Sequence, residues 1–188
     1  KQSEAGTAGT MRLCCDSKNT LGHRLALRFG CVALNEFVRV TAPADLAAGQ
    51  PTGVFRPITD REVGVARRLL AQSEAFSAID RLMFSRPVVA KVIDGGRLHR
   101  LVASHRVHAW FAPESPREPA AVVIHQTPEP SAEDRGGREL VVGAHVCPET
   151  LLSTFAADLT RWARQQSCTD LSAFVPGEPN VLASLRSA

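Results

Sequence analysis

The chain has 188 residues, of which 44% are hydrophobic, enough to bury the core of one domain or of one domain and part of another. Its 22 basic and 19 acidic residues are interleaved and leave a net charge of only +3, which argues against a nucleic-acid surface. No apolar run approaches the roughly 20 residues that a membrane-spanning helix needs. The sequence therefore predicts neither a nucleic-acid partner nor a membrane partner.

Cysteine usage bears on the compartment. The five cysteines are an odd number and form no C-x-x-C pair, a pattern that favours reduced thiols over a disulfide framework. Residues 1–10 are polar and lack the apolar stretch of a secretory signal, but the sequence does not begin with Met, so targeting cannot be read from it. Cysteine usage alone predicts a cytoplasmic protein.

The first fifty residues predict a strand, a helix and a second strand. Residues 11–15 are a short apolar run, and residues 20–29 have leucine and phenylalanine at helical spacing. Gly30 stands where a helix C-cap is expected. Residues 32–41, rich in β-branched and aromatic side chains, predict one strand or a bent pair of strands. Residues 42–52 contain Ala, Pro and Gly without periodicity, which is typical of a linker.

A second series of elements follows this linker. Residues 54–58 predict a strand, and Thr59 with Glu62 three positions later forms the capping box of a helix that runs to about residue 76. Residues 78–93 predict another short helix, which the sequence Asp-Gly-Gly at 94–96 should end.

Three strands, a helix and a strand complete the order of elements. The strands are predicted at 101–111, 120–126 and 140–147. Residues 149–166 then carry apolar side chains along one helical face, and residues 170–175 predict a strand. A last helix is predicted to begin at residue 179, and because it has no C-cap within the sequence we expect the domain to be truncated.

The order from residue 54 onward resembles that of the GNAT superfamily, the acetyl-CoA-dependent N-acetyltransferases. This resemblance implies an α/β fold: a mixed α+β sheet flanked by helices, of the acyl-CoA N-acyltransferase type. The family's closing strand or hairpin would come after Ala188. Element order is shared with other α/β folds, so a more specific feature is needed.

That feature lies nearer the N-terminus. Residues 11–19 (MRLCCDSKN) are similar to the family's fifth strand and its Asn-bearing turn, and residues 20–31 (TLGHRLALRFGC) are similar to its fourth helix. The helix commonly closes in Gly-Phe, and Cys31 takes the Phe place here. The resemblance thus implies a partial tandem. Its parts would be the C-terminal part of a first copy (1–42), a linker (43–53) and a degenerate, C-terminally truncated second copy (54–188).

The resemblance also implies a co-substrate and a reaction. Family members transfer an acetyl group from acetyl-CoA to an amine. A bulged fourth strand is expected to offer backbone N–H to the thioester oxygen, and the pantetheine arm pairs with the splayed strand edge like an added strand. On this basis the cofactor-binding residues are Asn19, at the entrance of the first copy's helix, and Ala144 and Val146, on the fourth strand of the second copy.

The second copy departs from the family at the loop that holds the pyrophosphate. The family has a basic residue and glycines there, in front of a helix whose N–H groups and dipole attract anions. Residues 146–153 read VCPETLLS and contain neither. The Cβ atoms of Leu151 and Leu152 would crowd a phosphate, and Glu149 would repel it. We therefore expect the second copy not to bind acetyl-CoA in the usual way.

The catalytic acid is equally hard to place. Many family members have a Tyr in the fourth helix, seven positions after the Asn, but Ala26 occupies that position and the chain contains no Tyr. His23 is a weak substitute. The catalytic residues stay unassigned.

Other chemistry-bearing residues have simpler readings. His105 and His108 have the spacing of a metal pair on a helix, but on the predicted strand they point to opposite faces, so no metal site is expected. His125 and His145 fall on strands expected to be neighbours, where one could act as a general base, although histidines that simply pack within the sheet are the simpler reading. Cys147 has no ordered His and Asp partners that would make it a nucleophile.

Two functions remain open. The first is an N-acetyltransferase with its active site in the first copy and the second copy acting as a lid or a substrate-selecting wall. The second is a non-catalytic binding or scaffolding module. The acceptor, a small-molecule or peptide amine, and the oligomeric state leave no readable pattern in the sequence.

Overall fold

The computed structural model describes residues 18–31, 37–47, 50–73, 76–77, 82–86, 89–126, 128–130 and 137–176. The chain forms two compact units, Lys1–Ala33 and Leu34–Ala188. The predicted strand at 11–15 and the predicted helix from residue 179 lie outside the described residues. Within the described part, no helix is both long enough and apolar enough to cross a membrane.

The described part of the first unit is a single helix, α1 (Thr20–Arg28). Asn19 is its N-cap, and the side-chain Oδ1 of Asn19 accepts the N–H of Gly22 at 2.9 Å. Gly30 has a φ of +76°, a conformation that glycine adopts without strain, directly after the helix end. The predicted helix at 20–29 and its glycine cap are confirmed.

The second unit is a mixed sheet with helices on both faces. Its main sheet has the order β1-β9-β8-β6-β5-β2, with β7 paired to β8, and β3 and β4 form a separate hairpin. The β8–β9 pair is parallel, whereas the other pairs are antiparallel. The elements are β1 (Phe37–Pro43), β2 (Val54–Pro57), α2 (Val63–Gln72), β3 (Leu82–Arg86), β4 (Val89–Val92), α3 (Gly95–Ala103), β5 (Val107–Phe111), β6 (Ala121–His125), β7 (Glu129–Pro130), β8 (Arg138–Val146), α4 (Leu152–Gln165) and β9 (Asp170–Pro176).

Two apolar clusters hold the layers together. On β6, Val122 and Ile124 point to the cluster formed with α2 and α3, whereas Ala121 and Val123 point to the cluster formed with α4. All four side chains are fully buried. Because neighbouring residues of a strand point to opposite faces, a strand with four consecutive apolar residues must be covered on both sides.

Most of the predicted elements of this unit are confirmed. The structure has strands at the positions predicted for 54–58, 120–126, 140–147 and 170–175, and a 3-10 turn followed by α4 at 149–166. The capping box ahead of α2 is also present: both the backbone N–H and the hydroxyl of Thr59 donate to Glu62 Oε2, at 3.1 and 2.8 Å.

Two predictions between residues 78 and 111 are wrong. The segment expected to be a helix contains the hairpin β3–β4, and the first part of the strand expected at 101–111 belongs to α3. The two glycines after Asp94 begin a helix instead of ending one, because Asp94 Oδ1 accepts the N–H of Arg97 at 2.6 Å and caps the first turn. Leu98 and Leu101 of α3 are then buried beside α2.

The strand β1 lies at the edge of the main sheet next to β9. Sequence reasoning placed this strand, at 32–41, in the first copy and expected a closing strand from beyond Ala188. In the structure β1 runs antiparallel to β9 from Phe37 opposite Pro176 to Pro43 opposite Asp170. The edge of β9 is therefore already taken by the strand at the N-terminal end of the same unit.

A partly buried polar network joins β1 to the centre of the sheet. Arg39 forms an ion pair with Glu139 of β8 at 2.5 Å, and the hydroxyl of Ser172 on β9 donates to the same carboxylate oxygen. Thr41 is hydrogen-bonded to Ser172 at 2.8 Å. Since these groups come from three adjacent strands, they fix the register of β1 as well as its presence.

The predicted linker at 43–53 falls within the second unit, and both of its ends are hydrogen-bonded to other elements of that unit. The N–H of Ala44 donates to Thr169 O at 2.7 Å, and the N–H groups of Thr52 and Gly53 donate to the carboxylate of Asp158 on α4 at 2.8 and 2.6 Å. Asp158 is fully buried and also accepts the indole N–H of Trp110 at 3.1 Å. This carboxylate therefore fastens the start of β2 to the helix that covers the sheet.

Candidate cofactor site

A β-bulge interrupts the strand β8. Ile124 of β6 lies opposite Ala144, but the next residue, His125, lies opposite Val142, so Gly143 is an extra residue in β8. Before the bulge Val142 packs in the α4 cluster; after it Ala144 packs in the cluster on the other face of the sheet. The bulge expected in the family's fourth strand is confirmed, and it reverses the two faces of the strand.

The bulge also decides which backbone groups face which neighbour. The N–H of His125 donates to Arg106 O at 3.0 Å, on the β5 side. Because backbone direction alternates along a strand, Ile124 turns its N–H and C=O toward β8, and Ala144 opposite it turns back toward β6. His145, the next residue of β8, therefore directs its backbone groups to the β9 side.

On that side β8 and β9 part. Their parallel pairing runs from Glu139 opposite Asp170 to Val142 opposite Ala173 and stops there. Both strands continue, β8 paired with β6 as far as Val146 and β9 paired with β1 as far as Pro176. The sheet consequently has an opening between two strands, directly after the bulge.

The start of α4, just beyond the opening, is closed to a phosphate. Its first turn is preceded by a 3-10 turn, Glu149–Leu151, in which the N–H of Leu151 donates to Pro148 O at 3.0 Å and that of Leu152 donates to Glu149 O. Leu152 is buried in the α4 cluster and Leu151 packs against it. The residues present therefore do not fit the diphosphate of coenzyme A: two N–H groups are already used, the side chains are apolar and the nearest charge is negative.

The side chains along the opening are uncharged at neutral pH. The His145 ring lies against Phe155 of α4, with centroids 6.1 Å apart, and burial lowers the pKa of His145 to about 4. Burial likewise raises the pKa of the Cys147 thiol to about 12, and its Sγ donates to Pro148 O at 3.4 Å. Cys147 is thus a protonated thiol, which supports the reading that it is no nucleophile.

Two further histidines form a pair beneath α4. His125 Nε2 lies 3.2 Å from His108 Nδ1, and His125 Nδ1 lies 2.7 Å from Gln126 O. Since a carbonyl only accepts, His125 carries its proton on Nδ1 and His108 donates to Nε2. Burial lowers the pKa of both, that of His108 to about 4. The prediction that His125 and His145 lie on neighbouring strands is confirmed, because β6 pairs with β8.

The H-x-x-H segment, in which both histidines were predicted to lie on one strand and to bind no metal, differs from the prediction in one respect. His105 lies in the turn before β5, with a φ of +55°, and so does not share a strand with His108 as predicted. In the described ranges no group of three or more His, Cys, Asp or Glu residues could hold a metal ion.

The three predicted cofactor-binding residues fall in different places. Ala144 and Val146 lie together on β8 after the bulge, whereas Asn19 belongs to the first unit, where its side chain caps α1. Their binding roles stay predictions. Sequence reasoning missed His145 as the residue whose backbone faces the opening. A glycine inside the apolar run VVGAHV was the available signal, since such a glycine often marks a bulge.

Two open clefts lie elsewhere on the second unit. One, of about 470 Å³, is lined by β2 and the turn after β5; the other, of about 430 Å³, lies between α2 and α3. Neither is lined by residues of β8 or β9.

The second unit thus has the GNAT-like fold: a mixed sheet flanked by helices, with a bulge in β8 and an opening between β8 and β9. Among solved structures, the chain is similar to a GCN5-related N-acetyltransferase from Sphaerobacter thermophilus, with a TM-score of 0.55 and 13% identity. The similarity covers 90% of this chain and 53% of that protein, so the chain spans about half of its length. No family model and no curated protein matches the sequence.

Proposed function

We propose that this chain is part of an acetyl-CoA-dependent N-acetyltransferase that acetylates an amine, and that its second unit does not carry out the transfer. The observation that carries the proposal is the combination found at β8: the bulge and the opening of the fold are kept, but the start of α4 is packed with leucine where a diphosphate would need free N–H groups. The transfer then belongs to a first copy.

Two observations support a first copy. The similarity to the N-acetyltransferase covers 90% of the chain. The second unit, Leu34–Ala188, makes up a smaller share of the chain, so the similarity also includes part of the first unit. In addition, α1 has an uncovered apolar face: Leu21, Leu25 and Phe29, spaced four residues apart, are 77%, 53% and 79% exposed. In a complete copy this face would pack against the copy's own sheet.

The acceptor is a small-molecule or peptide amine, and acetyl-CoA is the co-substrate of the first copy. The cytoplasm, where acetyl-CoA and reduced thiols coexist, is the proposed compartment. Asn19 would act near the pantetheine arm, and its hydrogen bond to the first turn of α1 holds the side chain at the helix entrance.

A non-catalytic binding or scaffolding module is the second candidate. The closed start of α4 favours it for the second unit taken alone. It differs from the first candidate in one measurable respect, because a protein with no functional cofactor site gains no stability from acetyl-CoA.

The test uses the protein at the full length made in cells. It is incubated with acetyl-CoA and a panel of small and peptide amines, and acetylated products are detected by mass spectrometry, with coenzyme A as the control. The proposal expects an acetylated amine and, with the ligand at 100 times its Kd, a stabilisation of about 2.7 kcal/mol. If neither an acetylated product nor a stabilisation is detected, the proposal is rejected in favour of the binding module.

A further inference from the structure

We propose that the cleft between β2 and the turn after β5 binds a small carboxylic acid whose carboxylate adjoins an apolar or aromatic group, with Arg56 and Arg117 as its charged partners. The lining residues of this arginine cleft come from 52–56 on one side and from 111–117 on the other. Its volume of about 470 Å³ is that of a small-molecule site. The site is separate from β8 and β9, so the proposal does not depend on acetyl transfer.

The outer wall of the arginine cleft is apolar and stiff. It is a turn in which Ala112 O accepts the N–H of Ser115 at 3.0 Å, with Pro113 at the second position. Pro116 follows directly and also lines the cleft. Because the two proline rings fix φ in this segment, the wall loses little conformational freedom when a ligand binds.

The opposite side of the cleft is held against the sheet. The N–H of Gly53 donates to the buried Asp158 carboxylate at 2.6 Å. A Cβ at Gly53 would lie 2.6 Å from Phe111 O, so only glycine allows this close approach. Val54, which lies opposite Phe111 in the β2–β5 pair, is 62% exposed. The Val54 side chain is therefore an apolar surface available to a ligand.

Arg56 is held in place at the cleft. Its guanidinium carbon lies 5.1 Å from the centroid of the Phe111 ring, and its Nη2 lies 2.7 Å from Glu62 Oε1. The hydrogen bond from Arg56 lowers the pKa of Glu62 to about 2, so Glu62 stays ionised. The Arg56 side chain is still 51% exposed, and a guanidinium has five N–H donors, so a second carboxylate can bind to it.

Arg117 provides the charge that has no counter-charge. It is exposed, and within the described ranges it forms no ion pair. Glu114 and Glu118 belong to the same turn, but neither lines the cleft. A guanidinium binds a carboxylate through two parallel hydrogen bonds. The combination of this cation with apolar walls therefore selects an acid that also has an apolar group.

Amide shifts of the nitrogen-15-labelled 188-residue chain test the proposal. The chain is titrated separately with phenylacetate, N-acetyl-L-phenylalanine, its uncharged amide N-acetyl-L-phenylalaninamide, and inorganic phosphate. We expect saturable shifts of the Phe111 and Arg117 amides with both carboxylates, and a Kd at least about tenfold higher for the uncharged amide. Phosphate should give no saturable shift, because the walls are apolar. The tighter of the two carboxylates shows whether the site prefers a free acid or a peptide C-terminal residue.

Three results of these titrations would overturn the proposal. They are the absence of a saturable shift with both carboxylates, a Kd for the uncharged amide equal to that of N-acetyl-L-phenylalanine, and a Kd for phosphate equal to that of phenylacetate.

A charge removal sharpens the test. Arg117→Gln should raise the Kd of phenylacetate at least about tenfold. Arg68→Gln is the matched control, because Arg68 is also exposed but lies on α2 and does not line the cleft. It should leave the Kd unchanged. Equal Kd values for the wild type and Arg117→Gln would overturn the proposal.

A second variant should increase the affinity. Glu62→Gln removes the carboxylate that competes for Arg56 and keeps an oxygen that can accept the N–H of Thr59 in the capping box. It should lower the Kd of phenylacetate at least about threefold. An unchanged or higher Kd in Glu62→Gln would overturn the role of Arg56 in the site, and with it the proposal.

Discussion

Replacement of Asp158 by alanine should remove a large part of the stability of the second unit. The Asp158 carboxylate is fully buried and accepts the backbone N–H groups of Thr52 and Gly53 and the indole N–H of Trp110. Arg161, one turn further along α4, is its ion-pair partner at 3.1 Å. In the described ranges, no other side chain of α4 accepts hydrogen bonds from so many groups on or next to β2.

The magnitude follows from the donors left behind. A buried donor without an acceptor costs about 1–3 kcal/mol, and Asp158→Ala leaves two of them, the N–H of Gly53 and the indole N–H of Trp110, as well as the N–H of the exposed Thr52. Because the vacated space can relax or admit water, the costs are not additive, and we expect a total loss of about 3–5 kcal/mol. This is a large part of the roughly 5–15 kcal/mol by which domains are stable.

Urea unfolding measures the loss directly. Trp110 and Trp162 are the two tryptophans of the chain and are both buried, so their fluorescence reports the unfolding of this unit. Asp158→Asn keeps one acceptor oxygen and should lose less, about 1–3 kcal/mol. Glu114→Ala, at an exposed turn, is the control and should stay within about 0.5 kcal/mol of the wild type. A loss below about 1 kcal/mol for Asp158→Ala would refute this reasoning.

Three further changes probe the same fold. Gly53→Ala should cost about 1–3 kcal/mol, read as a lower Tm, because an added Cβ would overlap the Trp110 indole. The pKa of His108 is lowered from 6.5 to about 4, so the unfolded chain binds more protons between these values. The stability that His108 contributes should therefore be complete above pH 6.5 and fall by up to about 1.4 kcal/mol per pH unit toward pH 4, and His145, whose pKa is also lowered to about 4, adds a second fall over the same range. His108→Gln should flatten this dependence in urea unfolding at several pH values; an unaltered slope would contradict it. Glu139→Ala leaves Arg39 without its ion-pair partner and should release β1, seen as faster hydrogen exchange of its amides, while β5 stays protected.

The elements that sequence reasoning found are those specified by local pattern. The strand at 120–126 was readable because the first four positions of β6, Ala121 to Ile124, are apolar, and the helix at 149–166 because its apolar side chains recur on one face. The capping box of Thr59 and Glu62 is likewise a local signal, and it is confirmed. Local chemistry sufficed in each case.

The segment around Asp94 shows where local pattern fails. The sequence Asp-Gly-Gly is typical of a turn, but an aspartate is also a favourable helix N-cap. In the structure Asp94 is an N-cap, because the leucines that follow it are buried against α2. Propensity left the two alternatives open. Packing against a distant helix decided between them.

The candidate site was only partly predictable for the same reason. That residues 146–153 contain neither glycine nor a basic residue is visible in the sequence alone, and the bulge was expected from the family resemblance. It was not predictable that the backbone of His145, and not that of Ala144, faces the opening. This depends on which backbone groups of β8 face β6. The position of β1 beside β9 depends on contacts such as that of Arg39 with Glu139, one hundred residues apart in sequence, which no local pattern encodes.

Calorimetric titration of the 188-residue chain with adenosine 3′,5′-bisphosphate and with acetyl-CoA is the most direct measurement of the central claim, that the start of α4 no longer accepts a diphosphate. We expect no heat with the nucleotide alone and no micromolar binding of acetyl-CoA. A micromolar Kd for acetyl-CoA, weakened when the nucleotide competes, would contradict the account.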